Sequence, residues 1–305
     1  MIHIFIINPF AGSHNFSSDL REQLSGYEDL QYFVFNTRYE GHETELVRKL
    51  IRLFNNEKLR FYCCGGSGTL RNMLNGIDNL ENVEIAFYPC GLSNNFLKVF
   101  GNDEKRFSNI DELINGEVAD IDYIWTDHGI ALNSVSVGHD CKCLSGKEKL
   151  RHLSFIHRNF PYFLAIILSF FTLKVRRFKV TVDDEEPFIG RTSEIFFGNG
   201  FVIGGFFHFA DGASVSDGQG IVRISLVKKR GIQLMRLNAN LLNKNFSKAY
   251  KLMTFMHGKT MKIRRTSRKT FTINQDGEII RNVPSLKMRI VRQGLHFVVP
   301  KGVRP

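Results

Sequence analysis

The sequence has no uncharged stretch long enough to cross a bilayer. The most apolar, residues 159–173, falls short of the roughly 20 apolar residues that a helical span needs. That run reads either as a buried core helix or as a helix that touches a membrane surface. Cysteine is scarce, with Cys63, Cys64, Cys90, Cys141 and Cys143 making up the set. An odd number of thiols without an export signal points to a reducing compartment rather than a disulfide framework. Neither Cys63-Cys64 nor Cys141-Lys142-Cys143 has zinc-ligand spacing, so most of these thiols read as buried and inert. The opening Met1-Ile2-His3-Ile4 carries no basic leader and no cleavage-site pattern, which argues against a signal peptide. The expected location is cytoplasmic, with the membrane surface as an extension of it.

Acid is also in deficit, with 30 Asp and Glu against 41 Lys and Arg, for a net charge of +11. Such a surplus favours anionic partners and does not choose among phosphorylated small molecules, acidic lipid and nucleic acid. The basic residues cluster. Lys147, Lys149 and Arg151 precede the apolar run, and Lys174, Arg176, Arg177 and Lys179 follow it. Lys228-Lys229-Arg230 and Arg264-Arg265 with Arg268-Lys269 add two more groups. Basic groups flanking an apolar helix suit an anionic membrane surface, where each cation contributes about 1 kcal/mol. For any single cluster an ordinary solvated face is the alternative. No helix-turn-helix, RNP or zinc-finger signature is present, so nucleic acid is not an expected partner.

A chain of 305 residues is better divided into two domains than packed around one core. In the first hundred residues apolar strands at 2–7, 32–35, 61–64 and 85–88 alternate with helical patterns at 43–54 and through Leu70, Met73 and Leu74. This β-α-β rhythm implies a parallel sheet covered on both faces. Ligands of such sheets bind beyond the carboxyl ends of the strands. After about Asp120 short strands dominate, at 121–125, 129–137, 177–182, 194–197, 221–227, 261–265, 270–273 and 286–291. Asp183-Asp184 reads as a hairpin turn, and helical insertions are expected at about 146–173 and 232–257. The fold class is therefore α/β: a parallel-sheet nucleotide-binding domain at 1–122, then a β-rich, sandwich-like domain at 123–295. The tail, 296–305, is a candidate to complete the first domain.

The sharpest local feature is Gly65-Gly66-Ser67-Gly68-Thr69, between a strand and a helix. A glycine-rich turn there aims free backbone N–H groups from a helix N-terminus and holds a phosphate without any side chain. A plain strand-to-helix turn is the alternative. A hydrolase nucleophile elbow built on Ser67 is a third reading, but Thr69 stands where that motif needs a final glycine.

Taken in order, the turns of this chain resemble those of the diacylglycerol kinase catalytic family. Asn8-Pro9-Phe10-Ala11-Gly12 is similar to its N-P-x-x-G, and Thr37 with Gly41-His42 to its T…GH segment. The 65–69 turn stands at its G-G-D-G-T, followed by Asn75-Gly76 at its N-G. Pro89-Cys90-Gly91-Leu92-Ser93-Asn94-Asn95-Phe96 partly matches P-x-G-T-x-N-D-F. Asp122, then Asn133 with Gly138-His139-Asp140, then Gly198-Asn199-Gly200 with Gly204-Gly205, continue the series. Ala213-Ser214-Val215-Ser216-Asp217-Gly218 is similar to A-x-L-x-D-G, and Asp276-Gly277-Glu278 matches D-G-E. Each motif alone is weak, but the series spans about residues 2–300 in the family's order.

The resemblance implies an ATP-dependent lipid kinase, with ATP and a lipid alcohol meeting between the domains. It implies a nucleotide site of Asn8, Thr37, Gly65, Gly66, Ser67, Gly68, Thr69, Gly91, Ser93 and Asn94. It implies Asp276 and Glu278 beside the reacting hydroxyl, one of them as the base that takes its proton. A D-G hairpin turn is the plain alternative for that pair. It also implies a structural Mg²⁺ site of Asp217 with backbone carbonyls at Ser214 and Gln219. The family association leaves a homodimer open.

The chain departs from the family pattern where charge matters. Ser67 replaces the Asp of G-G-D-G-T, Asn72 stands where many relatives have Glu, Leu92 replaces a Thr, and Asn95 replaces an Asp. The acids between Phe61 and Phe100 are Asp78, Glu81 and Glu84, none of them in a motif turn. A metal that neutralises developing charge is worth several kcal/mol in a transition state. Either another acid supplies that function or turnover falls. Three functions follow: a lipid kinase, a non-catalytic relative that binds nucleotide or lipid, and an NAD kinase, which shares the G-G-D-G turn. The P-x-G…N-x-F segment and the β-rich half fit the lipid branch better than the last.

Overall fold

Six residues in a row, Ile2 to Ile7, leave no room for a solvated face, and the first strand is buried along its whole length. The computed structural model describes residues 1–11, 17–80, 82–91, 94–150, 160–200, 202–203, 207–208, 214–227 and 232–305. Two compact units divide the chain. The first takes Met1–Tyr123, Ser214–Asp217 and Val291–Pro305, and the second takes Ile124–Ala213 and Gly218–Ile290.

In the first unit β1 (Ile2–Ile7), β2 (Tyr32–Asn36), β3 (Leu59–Gly65) and β4 (Val83–Pro89) form a parallel sheet in the order β2-β1-β3-β4. Helices α1 (Ser17–Ser25), α2 (His42–Leu53) and α3 (Ser67–Leu74) alternate with them. Leu20 and Leu24, Val47 and Leu50, and Leu70, Met73 and Leu74 turn their apolar faces inward, the spacing an amphipathic helix requires. A 3-10 stretch, Asn95–Ser108, and α4 (Ile110–Ile114) follow. His296 and Phe297 then return to pair with β4 in parallel.

The strand β5 (Glu117–Thr126) leads into the second unit. There β6 (Gly129–Ala131) and β7 (Ser134–Gly138) precede two helices, α5 (His139–Lys149) and α6 (Phe160–Thr172). Strands β8 (Arg176–Val182), β9 (Phe188–Thr192), β10 (Glu194–Gly198), β11 (Val202–Ile203), β12 (Phe207–His208) and β13 (Gly220–Ser225) come next. Helices α7 (Ile232–Leu242) and α8 (Phe246–Ala249) then lead to β14 (Met253–Gly258), β15 (Thr260–Arg265), β16 (Phe271–Gln275), β17 (Glu278–Val283) and β18 (Ser285–Val299). One antiparallel sheet has the order β14-β13-β10-β7-β16-β17, and a second runs from the start of β18 through β15 and β8 to β9. Phe178, Val180, Met261 and Ile263 of one meet Val135, Ile195, Val222 and Ile273 of the other in a common core. This is sandwich packing, as the sequence led us to expect.

Several boundaries differ from the sequence reading. The helix expected at 232–257 ends at Ala249, and Met253–Gly258 is a strand paired along β13. Apolar residues crowd 252–256 without Gly or Pro, so periodicity does not mark the switch there. The strand expected at 129–137 breaks at Leu132-Asn133, because the carboxylate of Asp276 takes the amides that a continuous ladder would use. The 146–173 helix begins earlier, at His139, and 151–159 lie outside the described residues. Asp183 and Asp184 both have positive φ, 47° and 59°, as a two-residue hairpin turn demands. Among the described residues no helix is long and apolar enough to cross a membrane. All five cysteines are free thiols.

A buried ion pair ties the first unit together. Arg60 Nε lies 2.6 Å from Glu84 Oε2, and its Nη1 donates to the carbonyls of Leu113 and Ile114, while Lys58 Nζ reaches Glu84 Oε1 at 2.5 Å. Burial pushes the Glu84 carboxyl up, but Lys58 and Arg60 more than offset this and hold it below the usual range. Glu84→Ala is expected to cost about 3–5 kcal/mol, the penalty of leaving a buried guanidinium unpaired. Stability should also decline with acid. Desolvation by burial is the main cause that lowers both His3 and His139 from 6.5 to about 4. Below the ordinary imidazole value the unfolded chain therefore binds protons that the folded chain refuses. The contribution of Glu84 is present above the unfolded carboxylate value and is lost as pH falls through the lower folded one. Urea midpoints should drop steadily between about pH 7 and 4, and a flat profile would contradict the assignment.

Candidate nucleotide and acceptor sites

In a parallel sheet every carboxyl end lies on one edge, and the turns after β1, β2, β3 and β4 are therefore neighbours. Asn8 follows β1, with its amide on the carbonyl of Cys64 at 2.9 Å, and Thr37 follows β2, with its amide on Ile7 at 2.8 Å. The 65–69 turn follows β3, and Cys90 binds the carbonyl of Gly65 at 2.8 Å. Asn8 Nδ2 donates to the Thr69 hydroxyl at 2.9 Å, joining the first turn to the third. The structure thus brings together Asn8, Thr37, Gly65, Gly66, Ser67, Gly68, Thr69, Gly91 and Asn94. Ser93 and Leu92, like Gly12, lie outside the described residues.

Gly66 caps α3 in an extended conformation with no side-chain acceptor on the helix. Its carbonyl receives Leu70, and the amides of Ser67, Gly68 and Thr69 have no acceptor among the described residues. A Cβ at Gly68 would meet no described atom within 4 Å, so the turn opens outward. Nearby, Asn94 donates from Nδ2 to Gly91 at 3.1 Å, and its Oδ1 is buried with no partner among the described residues. Three amides without acceptors suit an anionic ligand, and the Asn94 oxygen suits a polar group that donates to it.

No carboxylate stands in the turn, but one stands behind it. Glu43, in the first turn of α2 and 3% exposed, accepts from Asn72 Nδ2 of α3 at 3.5 Å. The sequence reading passed over this residue. An acid at the start of a helix is ordinary capping chemistry, and burial against α3 is visible only in the fold.

In the second unit Asp276 and Gly277 have φ of 48° and 95° and form the turn between β16 and β17. The carboxylate of Asp276 accepts three amides, from Leu132 at 2.6 Å, Ser134 at 2.8 Å and Asn133 at 3.1 Å. Both oxygens are engaged, so the side chain organises the link between β6 and β7. Glu278 is exposed at the start of β17. The two acids, alike in sequence, thus occupy different environments.

Of the proposed metal ligands, Ser214 and Asp217 fall in the first unit and Gln219 in the second. The Ser214 hydroxyl accepts the Ser216 amide at 3.3 Å and lies 3.1 Å from the Ser216 hydroxyl. Val215 is held by the Asp122 amide at 2.6 Å, and buried Asp122 accepts Gln293 at 2.7 Å. Among the described residues no three His, Cys, Asp or Glu side chains converge. One carboxylate with hydroxyl and carbonyl oxygens is a donor set of the right hardness for Mg²⁺.

The thiols stay out of this chemistry. Burial raises Cys63 and Cys64 well above the ordinary value and Cys90 to about 12, and a protonated thiol is a poor nucleophile.

An α/β unit with a phosphate-type glycine turn, followed in one chain by a β sandwich, is the architecture of a two-domain small-molecule kinase. This chain belongs to the diacylglycerol kinase-like family: residues 3–126 match the diacylglycerol kinase catalytic domain, and 133–300 match the YegS C-terminal NAD kinase beta sandwich-like domain. It is 25% identical over 233 residues to a Staphylococcus carnosus protein named "Putative lipid kinase", covering 73% of this chain and 72% of that one. It is 32% identical over 101 residues to "Putative lipid kinase YtlR" of Bacillus subtilis, about a third of either chain. A crystal structure described as a "putative diacylglycerol kinase" from Bacillus anthracis superposes with a TM-score of 0.74 at 17% identity, over 99% of this chain and 98% of the other. At that identity the likeness speaks for the fold.

The differing surroundings of Asp276 and Glu278 make a stability test. Asp276→Ala strands three buried amides and is expected to cost about 3 kcal/mol or more. Glu278→Gln, at an exposed site, is expected to shift stability by less than about 0.5 kcal/mol. Denaturant unfolding of both variants checks the split, and equal effects would remove it.

Proposed function

We propose that this protein is an ATP-dependent lipid kinase that moves the γ-phosphoryl group of ATP to a lipid hydroxyl. The observation that carries the reading is the 65–69 turn, where three amides without internal acceptors open outward from the first turn of an eight-residue helix. Such a terminus favours polyphosphate through its donors and its dipole. The Asn94 Oδ1 calls for a donor, and a sugar hydroxyl or purine amine would supply one.

On the acceptor side, Glu278 is the proposed base and Asp276 the positioning residue. The Asp276 oxygens already accept three amides, and taking a proton would cost those bonds. The lipid oxygen forms its bond to the γ-phosphorus as the bond to the ADP oxygen breaks, and the hydroxyl proton passes to Glu278. Mg²⁺ carried in with ATP would neutralise charge on the phosphates, and Asp217 with the backbone carbonyls of Ser214 and Gln219 would hold a separate, structural Mg²⁺. Peripheral contact with an anionic membrane is part of the same proposal. On α6, Ile167, Leu168 and Phe171 are exposed, and Lys174, Arg176 and Arg177 follow directly.

The second reading, a non-catalytic relative that binds nucleotide or lipid, is favoured by the uncharged turn itself. A γ-phosphate transfer assay against a mixed lipid extract with Mg²⁺ separates the two. A labelled lipid product is expected. Ser67→Asp should fold normally, since an acid in the first turn of a helix suits its dipole, and should raise turnover about tenfold or more. Glu278→Gln should lower turnover about a hundredfold and leave ATP affinity unchanged. No product from either the parent or Ser67→Asp, with ATP still bound, would decide for the second reading. Calorimetry supplies a further check. ATP should bind with little help from Mg²⁺, because the turn offers N–H donors and no carboxylate. A large gain in affinity with Mg²⁺ would mean that a nearby acid such as Glu43 carries the metal.

A further inference from the structure

The second unit contains a pocket that the proposed chemistry does not use. It has a volume of about 300 Å³ and opens between the end of β7, the first turns of α5, the residues after α6 and the β15–β16 connection. Lys142, Lys174, Arg176 and Arg265 line it. None of the four is in an ion pair among the described residues. The acid in the wall is Glu194, and its carboxylate is already bound to buried Arg223 at 2.6 Å. Among the described residues the lining is therefore net positive.

Arg265 is the most informative member. Its Nη1 donates to the carbonyl of Thr270 at 3.2 Å, which helps to orient the guanidinium, while its Nε is buried with no acceptor among the described residues. A buried donor of this kind normally has a partner. A guanidinium held in place presents a planar fork that matches the oxygens of a phosphate. Hydroxyls of Ser145, Thr192 and Thr272 share the walls, and Leu173, Phe178 and Phe271 supply apolar ones. Binding sites combine these features: apolar walls for complementarity and a few polar groups that converge on one charged atom cluster.

The pocket is distinct from the D-G-E turn. It lies at the Phe271 end of β16, and Asp276 follows the other end. At a rise of about 3.3 Å per residue, some five residues separate the two by about 17 Å. A lipid hydroxyl at Glu278 would not fill it.

We propose that this pocket binds a phosphate group, as a monoester or a diester, through Arg265 and the three cations at its rim. The inference concerns binding alone and stands whether or not the chain transfers phosphate. Two sources share this chemistry, a free phosphate ester and the headgroup of a phospholipid. Lys174 and Arg176, which follow α6, are exposed and line the pocket, so a headgroup and a free ester can both reach it.

The probe is inorganic phosphate, titrated by calorimetry into the protein, with chloride adjusted to constant ionic strength. Phosphate held at the α3 terminus instead would be insensitive to variants in this pocket. Saturable binding is expected, weakened at least tenfold in Arg265→Gln and in Arg176→Gln. The second variant alters an exposed side chain and keeps the test valid if the first melts early. ATP affinity, measured on the same variants, should not move, so failure here is separable from failure of the nucleotide site. Sedimentation with phosphatidylcholine vesicles, with and without phosphatidic acid, identifies the source. Retention by phosphatidic acid that inorganic phosphate competes away, and that Arg265→Gln weakens, supports the headgroup. Saturable phosphate binding with vesicle retention untouched by Arg265→Gln supports the free ester. No saturable binding, or binding that both variants leave intact, overturns the proposal.

Discussion

The carboxyl ends of β3 and β4 meet with no side chain between them, and the first unit depends on that contact. A Cβ on Gly91 would stand 2.9 Å from Gly66 Cα, and one on Gly65 would stand 2.7 Å from the Thr69 Cβ. Real atoms do not approach so closely, so larger residues would push α3 off the end of its strand. Held there, α3 starts abruptly, and its first amides have nowhere to turn but outward. Shape and charge are separable in this turn. Glycine backbones set its form, and the side chain at position 67 sets its charge, so a serine in place of the family's acid leaves the cradle standing.

The second unit is organised by polar groups that a sandwich has to satisfy internally. Arg223 and Glu194 pair within the sheet at 2.6 Å. Asp140 is buried, with its Oδ2 accepting from Ser136 at 2.7 Å and from Asn274 at 2.5 Å, and burial raises its carboxyl above the ordinary value. Asp276 works in the same way at the end of β16, gathering the amides that the break between β6 and β7 leaves free. Partners of this kind cost less buried than alone, and they hold the strand ends in fixed positions. A motif acid can therefore be an architectural part of an acceptor site while its neighbour in sequence faces solvent.

Much of this was legible from residue order. The apolar runs of β1, β3 and β4, the glycine turn and the helix through Leu70, Met73 and Leu74 fall where periodicity and turn chemistry place them. The Asp183-Asp184 hairpin does as well, since few residue types tolerate two positive φ values. The helix expected at 232–257 misled because 252–256 is apolar at nearly every position, a pattern that suits either element. Only the pairing of β14 with β13 decides it. The partnership of Glu43 with Asn72 was invisible for another reason. Twenty-nine residues separate them, and nothing local to either predicts that α2 and α3 lie side by side.

The sequence by itself determined the alternation of elements, the change from parallel to antiparallel strands near residue 120 and the backbone form of the phosphate turn. These follow from interactions between residues close in the chain: the period of the apolar side chains, the freedom of glycine and the order of the turns. The tertiary structure alone decided which acids are engaged and which are exposed, because a carboxylate takes its character from the groups around it. Asp276 and Glu278 are two residues apart, yet one accepts three amides from the 132–134 segment and the other begins an exposed strand. The basic pocket has the same origin. Arg176 and Arg265 lie far apart in the chain and come together when β8 pairs with β15, and Lys142 of α5 joins them only in the folded sandwich.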